Sequence, residues 1–65
     1  MPSVHVYWWA GRDVSAKKEV IKGITKVLAD LKIPPEAIEV IIHDVPKENW
    51  GLGGTPASEK FPHIP

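Results

Sequence analysis

The alternation of side chains near the start of the chain predicts a β-strand over residues 3–9. Val4, Val6 and Trp8 alternate with aromatic or histidine neighbours, and a period of two in β-branched and aromatic residues is typical of a strand. Between residues 14 and 31, apolar side chains recur at helical spacing with lysines mostly between them. This second pattern predicts an amphipathic helix.

The residues on either side of the predicted helix favour its ends. Asp13 or Ser15 offers an N-cap oxygen, and the prolines at 34 and 35 suit a short turn because they cannot continue a helix. Ile38–Val45 then predicts a second strand, with the near-continuous apolar centre expected when both faces are covered. A β-α-β order implies a right-handed crossover and a parallel strand pair. The predicted fold class is therefore α/β.

The sequence after the second strand predicts a hairpin or loop and an extended end. Three glycines surround Leu52 in the stretch NWGLGG, which suits a tight hairpin or loop around Trp50 and Leu52. The last ten residues contain three prolines, so we expect them to lie extended across the surface or on a neighbouring subunit. Residues 1–65 are expected to form a single domain.

Composition limits how such a small chain is stabilised. A chain of 65 residues buries a smaller share of its surface than a longer one. It has no cysteine, which excludes a disulfide framework and a thiolate zinc site. Two strands and one helix also leave a sheet edge open. Self-association is the remaining source of stability that we expect.

Charge argues against several classes of partner. Eight basic and eight acidic side chains are spread along the chain without a run of either sign, so neither nucleic acid nor a membrane surface is an expected partner. The apolar run Val6–Ala10 is too short for a signal peptide or a membrane span. We expect a cytoplasmic protein.

The order and spacing of short motifs resemble the 4-oxalocrotonate tautomerase family. A Met-Pro start is followed by a strand, Gly11-Arg12, an amphipathic helix, a strand containing VII, and NWGLGG. The resemblance implies a β-α-β subunit with a C-terminal hairpin or loop, whose dimer forms a four-stranded sheet with two helices on one face. Three dimers would form a homohexamer, with a hetero-oligomer as the alternative, and the active sites would lie at subunit boundaries. No cofactor is expected.

The resemblance also implies a role for the proline at position 2. In that family the initiator methionine is removed and the proline nitrogen becomes a general base. An α-amine has a pKa of about 7.7–8.0, and apolar surroundings with a nearby cation lower it by disfavouring the protonated form. Trp9, Trp50 and Leu52 are the candidate walls and Arg12 the candidate cation. The alternative for Pro2 is an edge-strand start, where a missing N–H costs nothing.

Arg12 is the candidate for binding the carboxylate of a small enol or unsaturated acid. It is the single arginine beside seven lysines, and a guanidinium fork suits bidentate carboxylate binding. In the family the matching arginine holds the substrate carboxylate. The alternative is a solvated residue at the start of the helix. Trp50 likewise has an alternative role, as an anchor of a subunit interface.

Glu39 departs from the family pattern, which usually has a second arginine at this position. Glutamate inverts that charge, so a dicarboxylate such as 2-hydroxymuconate is expected to bind poorly. The change indicates a monocarboxylate or aryl enol substrate, a second acid/base, or a subunit that needs a different partner chain. A solvated glutamate on an outer strand position is the simpler alternative.

Three functions therefore stay open on the sequence alone. The first is a Pro2-dependent tautomerase of a 2-hydroxy-dienoate, enol or unsaturated 2-oxo acid. The second is a hydratase or dehalogenase on the same scaffold, with Glu39 activating water. The third is a non-catalytic partner subunit of a hetero-oligomer. No metal is expected, because the histidines lack ligand spacing, and no Lys-Ser/Thr follows the glycines to make a phosphate loop.

Overall fold

Two parallel strands form the main sheet of this protein. The computed structural model describes all residues from Met1 to Pro65. Strand β1 (Ser3–Trp9) pairs in parallel with β2 (Glu39–Val45), with Trp9 opposite Val45. The main helix α1 (Val14–Ala29) connects them. The predicted β-α-β arrangement and α/β class are confirmed, and β2 begins one residue later than predicted.

Helix α1 starts as predicted and ends earlier than predicted. The side chain of Asp13 accepts a hydrogen bond of 2.9 Å from the backbone N–H of Ala16, which makes Asp13 the N-cap. The helix ends at Ala29 rather than at residue 31. Leu31 continues the apolar spacing, but Lys32 adopts a φ of 72° and the backbone turns there. Leu31 consequently remains 68% exposed.

A hairpin with a glycine turn follows β2. Strands β3 (Gly51–Leu52) and β4 (Thr55–Pro56) pair antiparallel, which confirms the predicted hairpin. Gly53 and Gly54 form the turn with φ of 60° and 88°, a left-handed conformation that favours glycine at both positions.

The extended conformation expected for the last ten residues is wrong for part of them. Residues Ala57–Lys60 form a helical turn, α2. The backbone N–H of Ala57 donates to the carbonyl of Trp50 at 2.7 Å, and Ala57 is fully buried. Packing against the hairpin therefore determines the helical conformation of α2, which the prolines alone do not predict.

One face of the sheet is tied to α1 through an exposed network of hydrogen bonds. The indole N–H of Trp8 donates to Asp44 at 2.7 Å, and the Lys17 ammonium of α1 lies 2.5 Å from the other oxygen of the same carboxylate. These contacts lower the pKa of Asp44, chiefly through the hydrogen bond from Lys17 and then that from Trp8.

The opposite face of the sheet has no helix over it. His5 and His43 on neighbouring strands are joined by a ring nitrogen contact of 2.8 Å, and Tyr7 stacks on His43 with 4.3 Å between ring centroids. Tyr7 is 59% exposed. Ala57 is the only fully buried residue of the single chain, which measures 43 × 24 × 13 Å. Because the single chain is so thin, covering the open face is its main means of burying more apolar surface.

None of the helices combines the length and apolar character needed to cross a lipid bilayer.

Candidate active site

A mostly apolar cavity of about 300 Å³ lies beyond the carboxyl end of β1. Aromatic residues of β1 and of the segment before the hairpin form its walls, and Arg12 is its only charged member. The full lining consists of Tyr7, Trp8, Trp9, Arg12, Trp50, Ile64 and Pro65. An apolar pocket with one convergent charged group is the usual form of a site for a small ligand.

Aromatic contacts fix Trp9 at the centre of this wall. Trp50 meets it edge to face with 6.2 Å between ring centroids, and Phe61 lies 5.8 Å away. The Lys47 ammonium sits 4.7 Å from the centroid of the Trp9 ring, within cation–π range. The indole N–H of Trp9 is buried and meets no acceptor within the chain. A ligand, a neighbouring chain or an ordered water can supply that acceptor.

A glycine turn brings Arg12 to the mouth of the cavity. The backbone N–H of Ala10 closes the strand ladder on Val45 at 2.9 Å, and Gly11 then adopts a φ of 121°. The chain reverses at this point because glycine tolerates that conformation. One guanidinium nitrogen of Arg12, Nη2, donates to the carbonyl of Pro65 at 3.1 Å. The remaining donors of the exposed guanidinium are available to a carboxylate.

Pro2 and Glu39 lie together at the other end of the sheet. The backbone N–H of Glu39 donates to the carbonyl of Pro2 at 3.0 Å, and the Glu39 side chain is exposed. Trp9 follows Pro2 by seven residue steps of extended chain, a distance of about 23 Å at the rise of a β-strand. The nitrogen of Pro2 carries Met1, which is 87% exposed.

The residues predicted for the site thus fall into two groups within one chain. Trp9, Arg12 and Trp50 share the cavity, whereas Pro2 and Glu39 are remote from it. Leu52 lies on β3 and outside the cavity lining. The predicted set is brought together only in part by a single subunit.

Sequence reasoning missed several residues that shape the cavity. The Lys47 ammonium contacts the Trp9 ring and donates hydrogen bonds to two backbone carbonyls. Ile64 and Pro65 complete the lining of the cavity. The prolines near the end predicted a segment lying across the surface, but no local pattern indicated that it reaches Arg12. Such contacts join residues distant in sequence, and periodicity reports only near neighbours.

A family model of tautomerase enzymes matches residues 2–60. The chain belongs to the tautomerase family. The resemblance found in the sequence is confirmed, and membership makes the protein an isomerase. Among curated tautomerase relatives, 2-hydroxymuconate tautomerase of Comamonas testosteroni is 45% identical over 60 residues, which cover 91% of this chain and 95% of the relative.

Solved tautomerase structures share the fold over nearly the whole chain. A 4-oxalocrotonate tautomerase isozyme from Methylibium petroleiphilum is 39% identical with a TM-score of 0.85, covering 92% of this chain and 98% of that one. A heterohexamer 4-oxalocrotonate tautomerase from Chloroflexus aurantiacus is 25% identical with a TM-score of 0.82, covering 91% and 97%. The family match stops at Lys60, so Phe61–Pro65 lie beyond it.

Proposed function

We propose that the protein catalyses a proton shift in a small enol or 2-hydroxy-dienoate that carries one carboxylate, with the Pro2 amine as general base. The observation that carries this proposal is an apolar cavity whose only charged side chain is that of Arg12, in a chain of the tautomerase family. The cavity accommodates a flat conjugated carbon chain, and Arg12 donates hydrogen bonds to its carboxylate.

The Pro2 nitrogen becomes a base only after Met1 is removed, because the amide nitrogen present before removal has no available lone pair. The free secondary amine takes the proton of the substrate hydroxyl. The electrons move along the conjugated chain, and the amine returns the same proton to a carbon. No atom is gained or lost, and the product is the conjugated oxo acid. The apolar walls favour the neutral amine at the start of each cycle.

The separation of Pro2 from the cavity supports an active site shared between chains. Within one chain Pro2 and Arg12 lie at opposite ends of β1, and a general base must lie within hydrogen-bond reach of the proton it takes. Pro2 of one subunit would therefore act at the cavity of another. A neighbouring structure is described as a heterohexamer, and a homohexamer is the assembly that we propose for this chain.

Glu39 supports a second candidate function on the same scaffold. Its backbone N–H is hydrogen-bonded to the carbonyl of Pro2, and its carboxylate is exposed at the same end of the sheet. A carboxylate there can take a proton from water as the water adds to an unsaturated acid. Hydration of such an acid is therefore the alternative reaction.

The function is tested by Pro2→Ala, after intact-protein mass has established that Met1 is absent from both proteins. Alanine keeps a terminal amine but loses the ring that orients it. We expect turnover of a monocarboxylate enol, followed by ultraviolet absorbance, to fall by about 100-fold with fold and assembly unchanged. Equal turnover of the two proteins, or retention of Met1 in an active enzyme, would contradict the proposal.

A further inference from the structure

The five residues after α2, Phe61–Pro65, return from the hairpin to the cavity, and we call them the tail segment. The Lys47 ammonium donates hydrogen bonds to the carbonyl oxygens of Phe61 and Ile64. One ammonium thus holds two backbone positions of the segment. The ring of Phe61 packs against Trp9, so the start of the segment is also fixed by aromatic contact.

The end of the tail segment contributes to the cavity itself. Ile64 and Pro65 are two of its seven lining residues, and the Pro65 carbonyl accepts the 3.1 Å hydrogen bond from Arg12. The segment therefore touches both the apolar wall and the only charged side chain of the cavity. These residues lie beyond the part of the chain that matches the family model, residues 2–60.

The contact with Arg12 limits how a carboxylate can bind. A guanidinium offers two planar forks to a carboxylate, one through Nε and Nη2 and the other through Nη1 and Nη2. Each fork uses one of the two hydrogens on Nη2. The Pro65 carbonyl occupies one of these hydrogens and leaves one fork complete. A bound carboxylate is directed to that fork, with Ile64 and Pro65 standing beside it.

We propose that Ile64 and Pro65 determine substrate length: they form part of the wall of the cavity and select compact monocarboxylate enols over longer or aryl-substituted ones. This inference rests on the proposed function for the identity of the substrates. Its physical basis is steric, because a cavity of about 300 Å³ that loses one wall admits additional carbon atoms. Apolar walls discriminate by roughly 10–200-fold for one methylene group.

The test compares the binding of a shorter and a longer ligand to the native protein and to a truncated chain that ends at Pro62. This truncation keeps Phe61 against Trp9 and the bond from Lys47 to the Phe61 carbonyl, and it removes the wall. His63→Ala is the matched control, because His63 is exposed and outside the cavity lining. Ile64→Ala is the second variant, which trims the wall while the backbone bonds remain, in case the truncated chain fails to assemble.

Two readouts separate this inference from the proposed function. Binding of a short 2-oxo monocarboxylate and of an aryl 2-oxo monocarboxylate is followed by tryptophan fluorescence, which requires no turnover. The kcat/KM values for the corresponding enols are measured in parallel. We expect truncation to raise relative affinity and relative kcat/KM for the aryl ligand by about tenfold, with a smaller change of the same sign in Ile64→Ala and none in His63→Ala.

An unchanged ratio of the two dissociation constants in the truncated chain and in Ile64→Ala would overturn the role of the tail segment, whatever the turnover. The opposite result is a changed ratio of dissociation constants together with turnover that does not depend on Pro2. That result would overturn the proposed function and leave the steric role of the tail segment standing.

Discussion

Pro2 precedes strand β1 and Arg12 follows it, so the seven strand residues Ser3–Trp9 lie between them together with Ala10 and Gly11. The extended strand places Pro2 about 23 Å from Trp9, at the end where the chain continues to Arg12. The cavity that contains Arg12 has aromatic walls from the same chain but no general base. A second subunit can supply one, because the open sheet edge and the helix-free face are available for pairing.

The first prediction concerns the carboxylate-binding role of Arg12. Arg12→Gln should raise KM for a monocarboxylate enol by about 10- to 100-fold, since a hydrogen bond to a charged group is lost, with a smaller change in kcat. Steady-state kinetics measures this split. Lys22→Gln removes an equal charge from α1, outside the cavity, and serves as the control. Similar KM values in both variants would contradict the assignment.

The second prediction concerns Glu39. Glu39→Gln should leave the tautomerisation of a monocarboxylate within about threefold, because the Pro2 amine needs no second base for that reaction. Glu39→Arg should raise kcat/KM for a dicarboxylate by about tenfold or more through a new charge-assisted hydrogen bond. Both are measured by absorbance. Loss of tautomerisation in Glu39→Gln would assign Glu39 a direct part, and loss of hydration alone would favour the alternative reaction.

The third prediction is the pH dependence of stability that Asp44 confers. Contacts with Lys17 and Trp8 lower the pKa of Asp44 below its ordinary value of 3.8 in the folded protein. The unfolded chain therefore binds the proton more readily, and the stabilising contribution is complete above pH 3.8 and is lost as pH falls through the lower folded-state pKa.

Thermal unfolding of the native protein and of Asp44→Asn between pH 6 and pH 2 checks this sign. The difference in Tm should be largest at the upper end and shrink towards the lower end. Lys17→Met should show a similar reduction in pH dependence, because it removes the first cause of the lowered pKa. A Tm difference that grows on acidification would be opposite to the prediction.

The sequence predicts the central fold closely where the physical signal is local. The alternation from Val4 to Trp8 is uninterrupted, and the observed strand has the predicted bounds. Lys32 shows the opposite case, because its left-handed backbone ends the helical stretch although the apolar spacing continues to Leu31. Helix α2 depends on the contact of Ala57 with Trp50, which no local pattern reveals.

The candidate site was predictable to the extent that its residue types carry chemistry. A lone arginine after a glycine and two tryptophans suggested a carboxylate pocket, and Trp9, Arg12 and Trp50 do share one. The hydrogen bonds from Lys47 to Ile64 and from Arg12 to Pro65 are not predictable from the sequence. These contacts depend on how the segment after α2 folds back, which is a property of packing rather than of periodicity.

The most direct test of the shared site is complementation between two impaired variants. Pro2→Ala and Arg12→Gln subunits are co-refolded in equal amounts, and the turnover of a monocarboxylate enol, at a concentration well below the KM of Arg12→Gln, is compared with that of each variant refolded alone. If the base and the arginine come from different chains, about a quarter of the sites in mixed oligomers regain both groups, and activity rises to about a quarter of the native value. If both come from one chain, no mixed oligomer contains an intact site, and activity that stays at the level of the separate variants would contradict the account.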